Sequence, residues 1–358
     1  MVSENKKVML TGGGTVGHVM LNKLLIPELE KKNVQPHYIG SKKGIEKDII
    51  KDLDIPYHEI SSGKLRRYLS FENLKDIFKV VKGVTDAKKI LKREKPLFVF
   101  SKGGFVSVPV VLAAAATDVP VYIHESDLTP GLANRIAGKF ATKVYCTFEK
   151  TVDKFTDTNA EYLGPVIRPE LLAGSNEKGH ALTGFNSAKP VVIIMGGSLG
   201  AKKINEFVHA NIDALTDKYQ VIHLTGKGNT NDKIKSPGYI QYEFVNDELA
   251  DLLAISDIVI SRSGSNAIFE LLLAKKPMIL VPLGLDQSRG DQIQNAKYFK
   301  KQGYAELLEE EHLNRENLFE KLDFIEKNYS EITYKMTQFK HGFEPASLAD
   351  KLIEEASQ

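Results

Sequence analysis

The chain has 358 residues, enough for two domains of ordinary size. Hydrophobic residues make up 42% and charged residues 26%, proportions that exclude a disordered or fibrous chain. The longest apolar run, residues 108–116, has nine residues, whereas a membrane-spanning helix needs about 20. A single cysteine, Cys146, excludes an internal disulfide and a cysteine cluster for zinc or iron–sulfur. The first residues lead into a strand pattern without a signal-peptide core, so we expect a cytoplasmic protein.

The net charge of +2 hides an uneven distribution. Residues 1–166 hold 26 basic and 19 acidic residues, and the remainder holds 22 and 27. The excess of the first half lies within residues 64–95, which contain eleven basic and four acidic residues. Such a segment attracts phosphates, nucleic acid or an anionic lipid surface. A solvated, lysine-rich helix face would have the same composition.

Each half of the chain opens with an apolar strand, a glycine-rich loop and a helical pattern, the first over residues 7–30 and the second from residue 191. Continuous apolar strands that end in glycine and a helix are typical of parallel sheets buried on both faces. A polar stretch rich in glycine and proline, residues 164–190, follows the first half, and we place the linker near Val166. The sequence therefore predicts two doubly wound α/β domains facing each other across a cleft, with ligands at the carboxyl ends of the strands.

The first loop, Gly12-x-Gly14-x-x-Gly17, fits the GxGxxG dinucleotide fingerprint, whose glycines let the backbone approach phosphates. The second strand runs into Ser41-Lys42-Lys43 without the carboxylate that binds the ribose of NAD. An NADP-dependent oxidoreductase therefore stays open as one alternative. The chain lacks the GxxxxGK[ST] motif, which argues against an ATPase.

The most informative segment is residues 261–270, where a predicted strand ends and a turn of small residues opens a helix. Such a turn is a nest of N–H donors at a positive helix end, suited to a phosphate. Glu270 follows one to two turns into the helix, where its carboxylate could reach sugar hydroxyls. An ordinary capped helix would contain the same residue types.

Taken together, these motifs resemble the MurG family, the transferases of bacterial cell-wall synthesis that convert lipid I to lipid II. The matching segments run in family order: GGTVGH at 13–18, KGGFVS at 102–107, HE at 124–125, GLAN at 131–134, GGSLGA at 196–201, SRSG at 261–264 with Glu270, DQ at 291–292 and NA at 295–296. The resemblance implies the GT-B fold of two Rossmann-like domains. Residues 1–166 would form the acceptor and membrane-facing domain, with a C-terminal helix of about 340–358 packing back on it, and residues 167–339 the donor domain.

The resemblance also implies an activity. Such enzymes transfer N-acetylglucosamine (GlcNAc) from UDP-GlcNAc to the 4-hydroxyl of MurNAc in undecaprenyl-pyrophosphoryl-MurNAc-pentapeptide, with inversion at the anomeric carbon. The expected role is peptidoglycan synthesis, and hence cell-wall biogenesis, cell shape and division, at the cytoplasmic face of the cell membrane as a peripheral protein. The partners would be UDP-GlcNAc, lipid I in an anionic membrane and other cell-wall synthesis and division proteins, with no nucleic acid and no cofactor.

By position, the resemblance assigns the donor site. The main chain at Val245 would hydrogen-bond to the uracil, and Glu270 would bind the ribose hydroxyls. Gln292, with Asp291 beside it, would contact the GlcNAc. The diphosphate would be held by a serine of the second glycine loop and by the turn before Glu270, namely Ser198, Ser263, Gly264, Ser265, Asn266 and Ala267. The remaining donor-site positions are Arg168, Thr15, Gly17 and Asp127.

The acceptor site would lie in the first domain. Its diphosphate would bind the loops containing Gly13, Gly14, Gly103 and Gly104, accompanied by His18, Glu125 and Asn134. The sequence departs from the usual family pattern at Val16, at Leu199, in the run 124–127, where the amide contact expected at Asp127 is in doubt, and in the loop 284–290.

Inverting transfer needs a base for the acceptor hydroxyl and stabilisation of the leaving UDP. We predict His18 as the base, with Glu125 as the alternative. His18 could instead bind only the acceptor diphosphate, and Glu125 could be a buried carboxylate paired with His124 or a helix terminus. No Asp-x-Asp follows a predicted strand, so we expect a metal-independent reaction.

The basic region contains two segments with apolar residues, for which the sequence predicts different surroundings. An apolar stripe at helical spacing, Phe71, Leu74, Ile77, Phe78, Val81 and Val84, is predicted to belong to the core. The residues predicted to enter the lipid interface are Lys64, Leu65, Arg66, Arg67, Tyr68 and Leu69.

Besides the oxidoreductase, two other functions are compatible with these residues. A non-catalytic protein that binds a nucleotide sugar or a lipid phosphate would keep the donor turn and need no base. A UDP-GlcNAc 2-epimerase of the same fold would release UDP without an acceptor.

Overall fold

A computed structural model describes residues 6–63, 71–197 and 201–358 and, within the helix that starts at residue 71, the side chains from Asp76 onward. The chain divides into two compact units, Met1–Val166 with Gly342–Gln358 and Ile167–His341. Within the described residues, no helix combines the length and the apolar character needed to cross a bilayer.

The N-terminal unit is built on a seven-stranded parallel sheet in the order β3-β2-β1-β4-β5-β6-β7. Its strands are β1 (Lys6–Thr11), β2 (Val34–Ser41), β3 (Tyr57–Ile60), β4 (Val99–Ser101), β5 (Val121–Glu125), β6 (Lys143–Cys146) and β7 (Ala160–Tyr162). Its connecting helices are α1 (Gly17–Lys31), α2 (Ile45–Ile50), α3 (Phe71–Glu94), α4 (Ser107–Ala115), α5 (Leu132–Gly138) and α6 (Glu149–Val152).

The C-terminal unit has a six-stranded parallel sheet in the order β10-β9-β8-β11-β12-β13. The strands are β8 (Val191–Met195), β9 (Gln220–Leu224), β10 (Tyr239–Tyr242), β11 (Ile258–Ser261), β12 (Met278–Leu280) and β13 (Ala305–Leu307). The helices are α7 (Asn176–Thr183), α8 (Lys202–Ala210), α9 (Ile212–Lys218), α10 (Glu248–Ile255), α11 (Ser265–Leu273), α12 (Asp291–Lys301), α13 (Arg315–Lys327) and α14 (Tyr329–Thr337), with 3₁₀ helices at Pro169–Leu172 and Glu310–His312.

A last helix, α15 (Pro345–Glu355), belongs to the N-terminal unit. Leu348 and Leu352 are fully buried in the cluster that α1 forms with one face of the sheet. At its end, the Glu355 carboxylate accepts hydrogen bonds from the Lys143 ammonium (2.8 Å) and the Tyr145 hydroxyl (2.7 Å) on β6. Apolar burial and these bonds together fix the helix to the sheet.

Alternation along β1 explains how the first sheet is covered on both faces. Val8 and Leu10 are buried in the cluster with α1 and α15, whereas Met9 is buried in the cluster with α3 and α4. In each sheet the winding reverses at one pair of neighbouring strands, β1 with β4 and β8 with β11. Loops at the carboxyl ends of such a pair diverge and leave a crevice where ligands bind.

The prediction that the apolar stripe of α3 belongs to the core is wrong for three of its six residues. Ile77, Phe78 and Val81 are 53%, 73% and 59% exposed. The buried face contains the small residues Gly83 and Ala87, because the helix backbone comes so close to neighbouring chain that a Cβ on Gly83 would lie 2.1 Å from the Ser61 carbonyl oxygen. The large apolar residues at positions 77, 78 and 81 therefore lie on the opposite face, whereas Ile90 and Leu91, farther along α3, are buried. Of the remaining stripe, Val84 is partly buried, and the side chains of Phe71 and Leu74 lie outside the described part.

Candidate active site

The glycine loops after β1 and β4 meet at the carboxyl end of the first sheet. The N–H of Gly13 donates to the carbonyl oxygen of Gly103 (3.2 Å), so the loops are joined through their backbones. Gly104 has a φ of +84°, and a Cβ there would lie 2.0 Å from the Gly13 carbonyl oxygen. Position 104 therefore requires glycine, because any side chain would clash with the first loop. The close contact of the two loops brings together four predicted acceptor residues, Gly13, Gly14, Gly103 and Gly104.

His18 lies in the first turn of α1, beside these loops. Its Nδ1 is 3.0 Å from the Thr15 hydroxyl and 3.2 Å from the Gly13 carbonyl oxygen. These contacts hold the ring beside the loops, and they are compatible with either neutral tautomer, because the Thr15 hydroxyl can donate or accept.

A carboxylate that sequence analysis missed lies beneath the first loop. Glu46, fully buried near the start of α2, accepts hydrogen bonds from the N–H of Gly14 (3.3 Å) and of Ser41 (3.0 Å) and from the Ser41 hydroxyl. A Cβ on Gly13 would lie 2.5 Å from its Oε2. Glu46 therefore fixes the shape of the loop. The only hint in the sequence is an acidic residue just after Gly44 at a helix start.

Glu125, the alternative base, is buried at the end of β5 and is hydrogen-bonded through both oxygens. It accepts from the N–H of Asp127 (2.9 Å), the N–H of Gly131 (3.1 Å) and the side-chain amide of Asn134 (3.0 Å). Burial, with the nearby Asp127 charge, raises the pKa of Glu125 to about 7. These bonds hold the turn into α5, which is the role of a carboxylate at a helix terminus.

A second residue without a predicted role, Lys102, is buried next to the same elements. Its ammonium lies 3.0 Å from Nδ1 of His124, which is also buried. Burial lowers the pKa of Lys102 to about 8. Burial, together with the Lys102 charge, also holds the pKa of His124 well below its usual value. The ammonium therefore donates a hydrogen bond to a neutral imidazole.

In the C-terminal unit, the turn between β11 and α11 contains most of the residues predicted to bind the diphosphate. Ser263 is fully buried, and its hydroxyl has no hydrogen-bond partner within the described part of the chain. Gln292 accepts the N–H of Ser263 (3.4 Å) and of Leu283 (3.1 Å), so its side chain ties this turn to the loop after β12. A buried hydroxyl without a partner at the start of a nine-residue helix suits an anionic ligand group.

The structure pairs two predicted donor residues with each other. Arg168 donates from Nε (3.2 Å) and Nη2 (3.5 Å) to the two carboxylate oxygens of Glu270. Burial raises the pKa of Glu270, and the Arg168 charge opposes that shift. The Arg168 charge therefore favours the ionised carboxylate, the form that accepts hydrogen bonds from hydroxyl groups, against the larger opposing effect of burial.

Glu310, which sequence analysis also missed, connects the loops around this turn. Its carboxylate is bonded by Arg262 Nη2, by the Lys203 ammonium (3.0 Å) and by the Gln287 amide (3.0 Å). Arg262 also donates to the Val281 carbonyl oxygen (3.2 Å). Burial alone would raise the pKa of Glu310, but the bonds from Arg262 and Lys203 lower it. One buried carboxylate thus joins the segments that follow β8, β11 and β12.

The other predicted donor residues are distributed over both units. Val245 is half-buried in the loop after β10, and Asp291 is the first residue of α12. Ser265, Asn266 and Ala267 form the first turn of α11. Thr15, Gly17 and Asp127 belong to the N-terminal unit. Ser198 lies outside the described residues, as do Leu199 and the predicted membrane segment of residues 64–69.

Comparison with known families identifies the chain. The model of the glycosyltransferase family 28 N-terminal domain matches residues 8–146, and that of the family's C-terminal domain matches residues 191–352. The chain belongs to glycosyltransferase family 28. Membership of family 28 decides against the NADP-dependent oxidoreductase.

Curated relatives place the chain within the MurG branch of family 28. It is 54% identical over 352 residues to the "UDP-N-acetylglucosamine--N-acetylmuramyl-(pentapeptide) pyrophosphoryl-undecaprenol N-acetylglucosamine transferase" of Staphylococcus aureus strain bovine RF122 / ET3-1, covering 98% of this chain and 99% of that protein. The protein of the same name from strain JH9 has the same identity and coverage. The MurG-family membership predicted from the motifs is confirmed.

Solved structures show the same fold. Acinetobacter baumannii MurG matches with a TM-score of 0.79 at 23% identity, covering 98% of this chain and 99% of that one. The calicheamicin glycosyltransferase CalG4 matches with a TM-score of 0.74 at 14% identity, covering 99% of both chains. The predicted α/β glycosyltransferase fold of the GT-B class is confirmed.

Proposed function

We propose that this protein is an inverting N-acetylglucosaminyltransferase that moves GlcNAc from UDP-GlcNAc to the MurNAc 4-hydroxyl of lipid I, forming lipid II for peptidoglycan. The main support is the 54% identity, over 98% of the chain, to transferases named for this donor and acceptor. In the reaction the acceptor hydroxyl bonds to the anomeric carbon, the bond from that carbon to UDP breaks, and the hydroxyl proton passes to a base.

The donor diphosphate binds at the start of α11. The buried Ser263 hydroxyl, which lacks a partner within the described part of the chain, donates to a phosphate oxygen, and the first N–H groups of α11 stabilise the charge of departing UDP. This arrangement supplies leaving-group stabilisation without a metal. The side-chain oxygen of Gln292 already accepts hydrogen bonds from the N–H groups of Ser263 and Leu283. Its NH₂ group is therefore the part that donates to GlcNAc.

The ribose is held by Glu270, whose ionised form the Arg168 charge favours. A charged carboxylate accepts hydrogen bonds from hydroxyl groups more strongly than a neutral acceptor does. Val245 would present its main chain to the uracil. Ser198 keeps the diphosphate role that its position in the motif suggests, although it lies outside the described residues.

The acceptor diphosphate binds the joined glycine loops, and His18 is the base. The position of the ring, held beside the loops by Thr15 and Gly13, supports this choice. The three hydrogen bonds that Glu125 accepts support a structural role for that residue, with Asn134 as its partner. His18→Ala with normal turnover would exclude His18 from catalysis.

The protein works at the cytoplasmic face of the membrane, where its lipid acceptor lies. The exposed residues Ile77, Phe78 and Val81 of α3, together with the neighbouring Lys79 and Lys82, form an apolar and basic surface suited to an anionic bilayer. The segment of residues 64–69 precedes this helix and is the other proposed contact.

Transfer itself provides the test. Labelled UDP-GlcNAc and a lipid I analogue with a shortened prenyl chain should give a disaccharide product with the anomeric configuration inverted, as determined by NMR. Recovery of free N-acetylmannosamine instead of a disaccharide would support the epimerase.

A further inference from the structure

The glycine loops of the acceptor site contain no charged residue. Residues 12–17 read GGGTVG and residues 103–107 read GGFVS. The acceptor proposed for them carries a diphosphate, whose negative charge must be compensated when it leaves water. Main-chain N–H groups provide only partial charges, and one of them, from Gly14, already donates to Glu46. A full positive charge close to the loops would complete the site.

Lys102 is placed to supply that charge. It lies between β4 and the second loop, and its N–H donates to the Thr11 carbonyl oxygen (2.9 Å), directly before the first loop. A Cβ on Gly12 would lie 3.2 Å from the Lys102 Cβ. The side chain therefore starts at the base of both loops and runs toward His124 on β5.

The ammonium of Lys102 is poorly compensated by the protein. The residue is 1% exposed, and the ammonium donates to the neutral ring of His124. Among the residues that the structure describes, no carboxylate oxygen lies within ion-pair distance of it, and Glu125 and Asp127 act on it only over a longer range. Glu125 already accepts three N–H groups. A buried ammonium in this setting is costly unless a further anion arrives.

We propose that Lys102 is the fixed counter-charge of the acceptor site. Its ammonium attracts the diphosphate bound at residues 12–14 and 103–104 through the low-dielectric interior, without touching it. This inference rests on the proposed function, because the diphosphate belongs to the lipid acceptor. The competing possibility is a purely internal role, in which Lys102 only balances Glu125 and Asp127.

Two acceptor analogues that differ in one phosphate separate these roles. Both carry MurNAc-pentapeptide on a shortened prenyl chain, one through a diphosphate and the other through a monophosphate. In Lys102→Met, we expect the KM for the diphosphate analogue to rise about ten- to a hundredfold, the size of one Coulomb interaction across a loop at intermediate dielectric. The KM for the monophosphate analogue should rise much less, and that for UDP-GlcNAc should stay within about twofold.

A matched control is Lys276→Met in the C-terminal unit. The Lys276 ammonium donates to the carbonyl oxygens of Ser256 (2.8 Å) and Ala254 (3.3 Å), and burial lowers its pKa, so it is another desolvated lysine but one with structural partners. This variant should lose stability without changing the preference for the diphosphate analogue. Equal loss for both analogues in Lys102→Met would overturn the proposal in favour of the internal role.

Two further measurements apply even if Lys102→Met folds poorly. Ethylammonium added to Lys102→Ala should restore the preference for the diphosphate analogue, whereas ethanol should not. In the wild type that preference should fall as the pH rises above about 8, because the Lys102 pKa is about 8; the ionisable groups facing it are His124, Glu125 and Asp127. No rescue together with a preference that does not change with pH would refute the proposal. A wild type that uses neither analogue would refute the proposed function instead.

Discussion

The Glu310 carboxylate gives the sharpest structural prediction, because three segments near the donor turn depend on it. Its side chain is 3% exposed and that of Arg262 is 9% exposed. Removing one partner of a buried ion pair leaves an uncompensated charge and costs about 3–5 kcal/mol. We expect Glu310→Gln to lower the free energy of unfolding by an amount near the lower end of that range, since an amide still accepts one hydrogen bond.

The same substitution should affect donor binding. Arg262 directly precedes Ser263, and Gln287 lies in the loop that Gln292 ties to this turn. Loss of the carboxylate frees both segments, so we expect the KM for UDP-GlcNAc to rise about tenfold or more, with the acceptor KM nearly unchanged. A loss of about 1.4 kcal/mol in binding corresponds to a tenfold change in affinity.

Stability is best followed by far-UV circular dichroism during urea unfolding, since the chain has no tryptophan. The matched control is Glu331→Gln, because Glu331 is 64% exposed and pairs with Lys335 in one turn of α14. That variant should stay within about 0.5 kcal/mol of the wild type. If Glu310→Gln behaves like this control in both unfolding and donor KM, the account of Glu310 as the link between the loops is incorrect.

The proposed base, the Arg168–Glu270 pair, a buried histidine and the exposed face of α3 can each be tested with one substitution. His18→Ala should lower kcat about 10²- to 10⁴-fold with UDP-GlcNAc affinity unchanged in calorimetry, and normal turnover would contradict this. Arg168→Met should weaken UDP-GlcNAc binding and raise the pKa of Glu270 further; an unchanged donor Kd would count against the pairing. His223 is neutral in the folded protein, because burial lowers its pKa to about 3. The unfolded chain therefore binds more protons below pH 6.5, and the free energy of unfolding should fall on acidification by up to about 1.4 kcal/mol per pH unit. The same pH slope in His223→Gln would refute this. Phe78→Ser should weaken sedimentation with anionic vesicles, and unchanged sedimentation would exclude that surface.

Much of the fold could be predicted from the sequence because its signals are local. Buried parallel strands are continuous apolar runs, and each glycine loop follows a strand end directly along the chain. The turn at residues 261–270 is equally local, since the strand, the small residues and the helix start are adjacent. The hydrogen bonds of Glu125 are local as well, because its partners Asp127, Gly131 and Asn134 follow it within ten residues.

What the sequence did not reveal depends on contacts between distant residues. Arg262 and Glu310 are 48 residues apart, and Lys102 and His124 are 22 apart, so no spacing rule connects them. The prediction for α3 was wrong for a related reason. Which face of this helix is buried depends on the close approach of Ser61 to Gly83, and the sequence pattern of large apolar residues does not show that contact. Local periodicity identifies an amphipathic helix but does not say which neighbour covers it.

The most direct test of the proposed transferase is UDP release from UDP-GlcNAc in EDTA, measured with and without the lipid I analogue. We expect release only when the acceptor is present, with one disaccharide formed for each UDP. Release without the acceptor would contradict it and indicate the epimerase. Binding of UDP-GlcNAc with no release under either condition would also contradict it and indicate a binding protein.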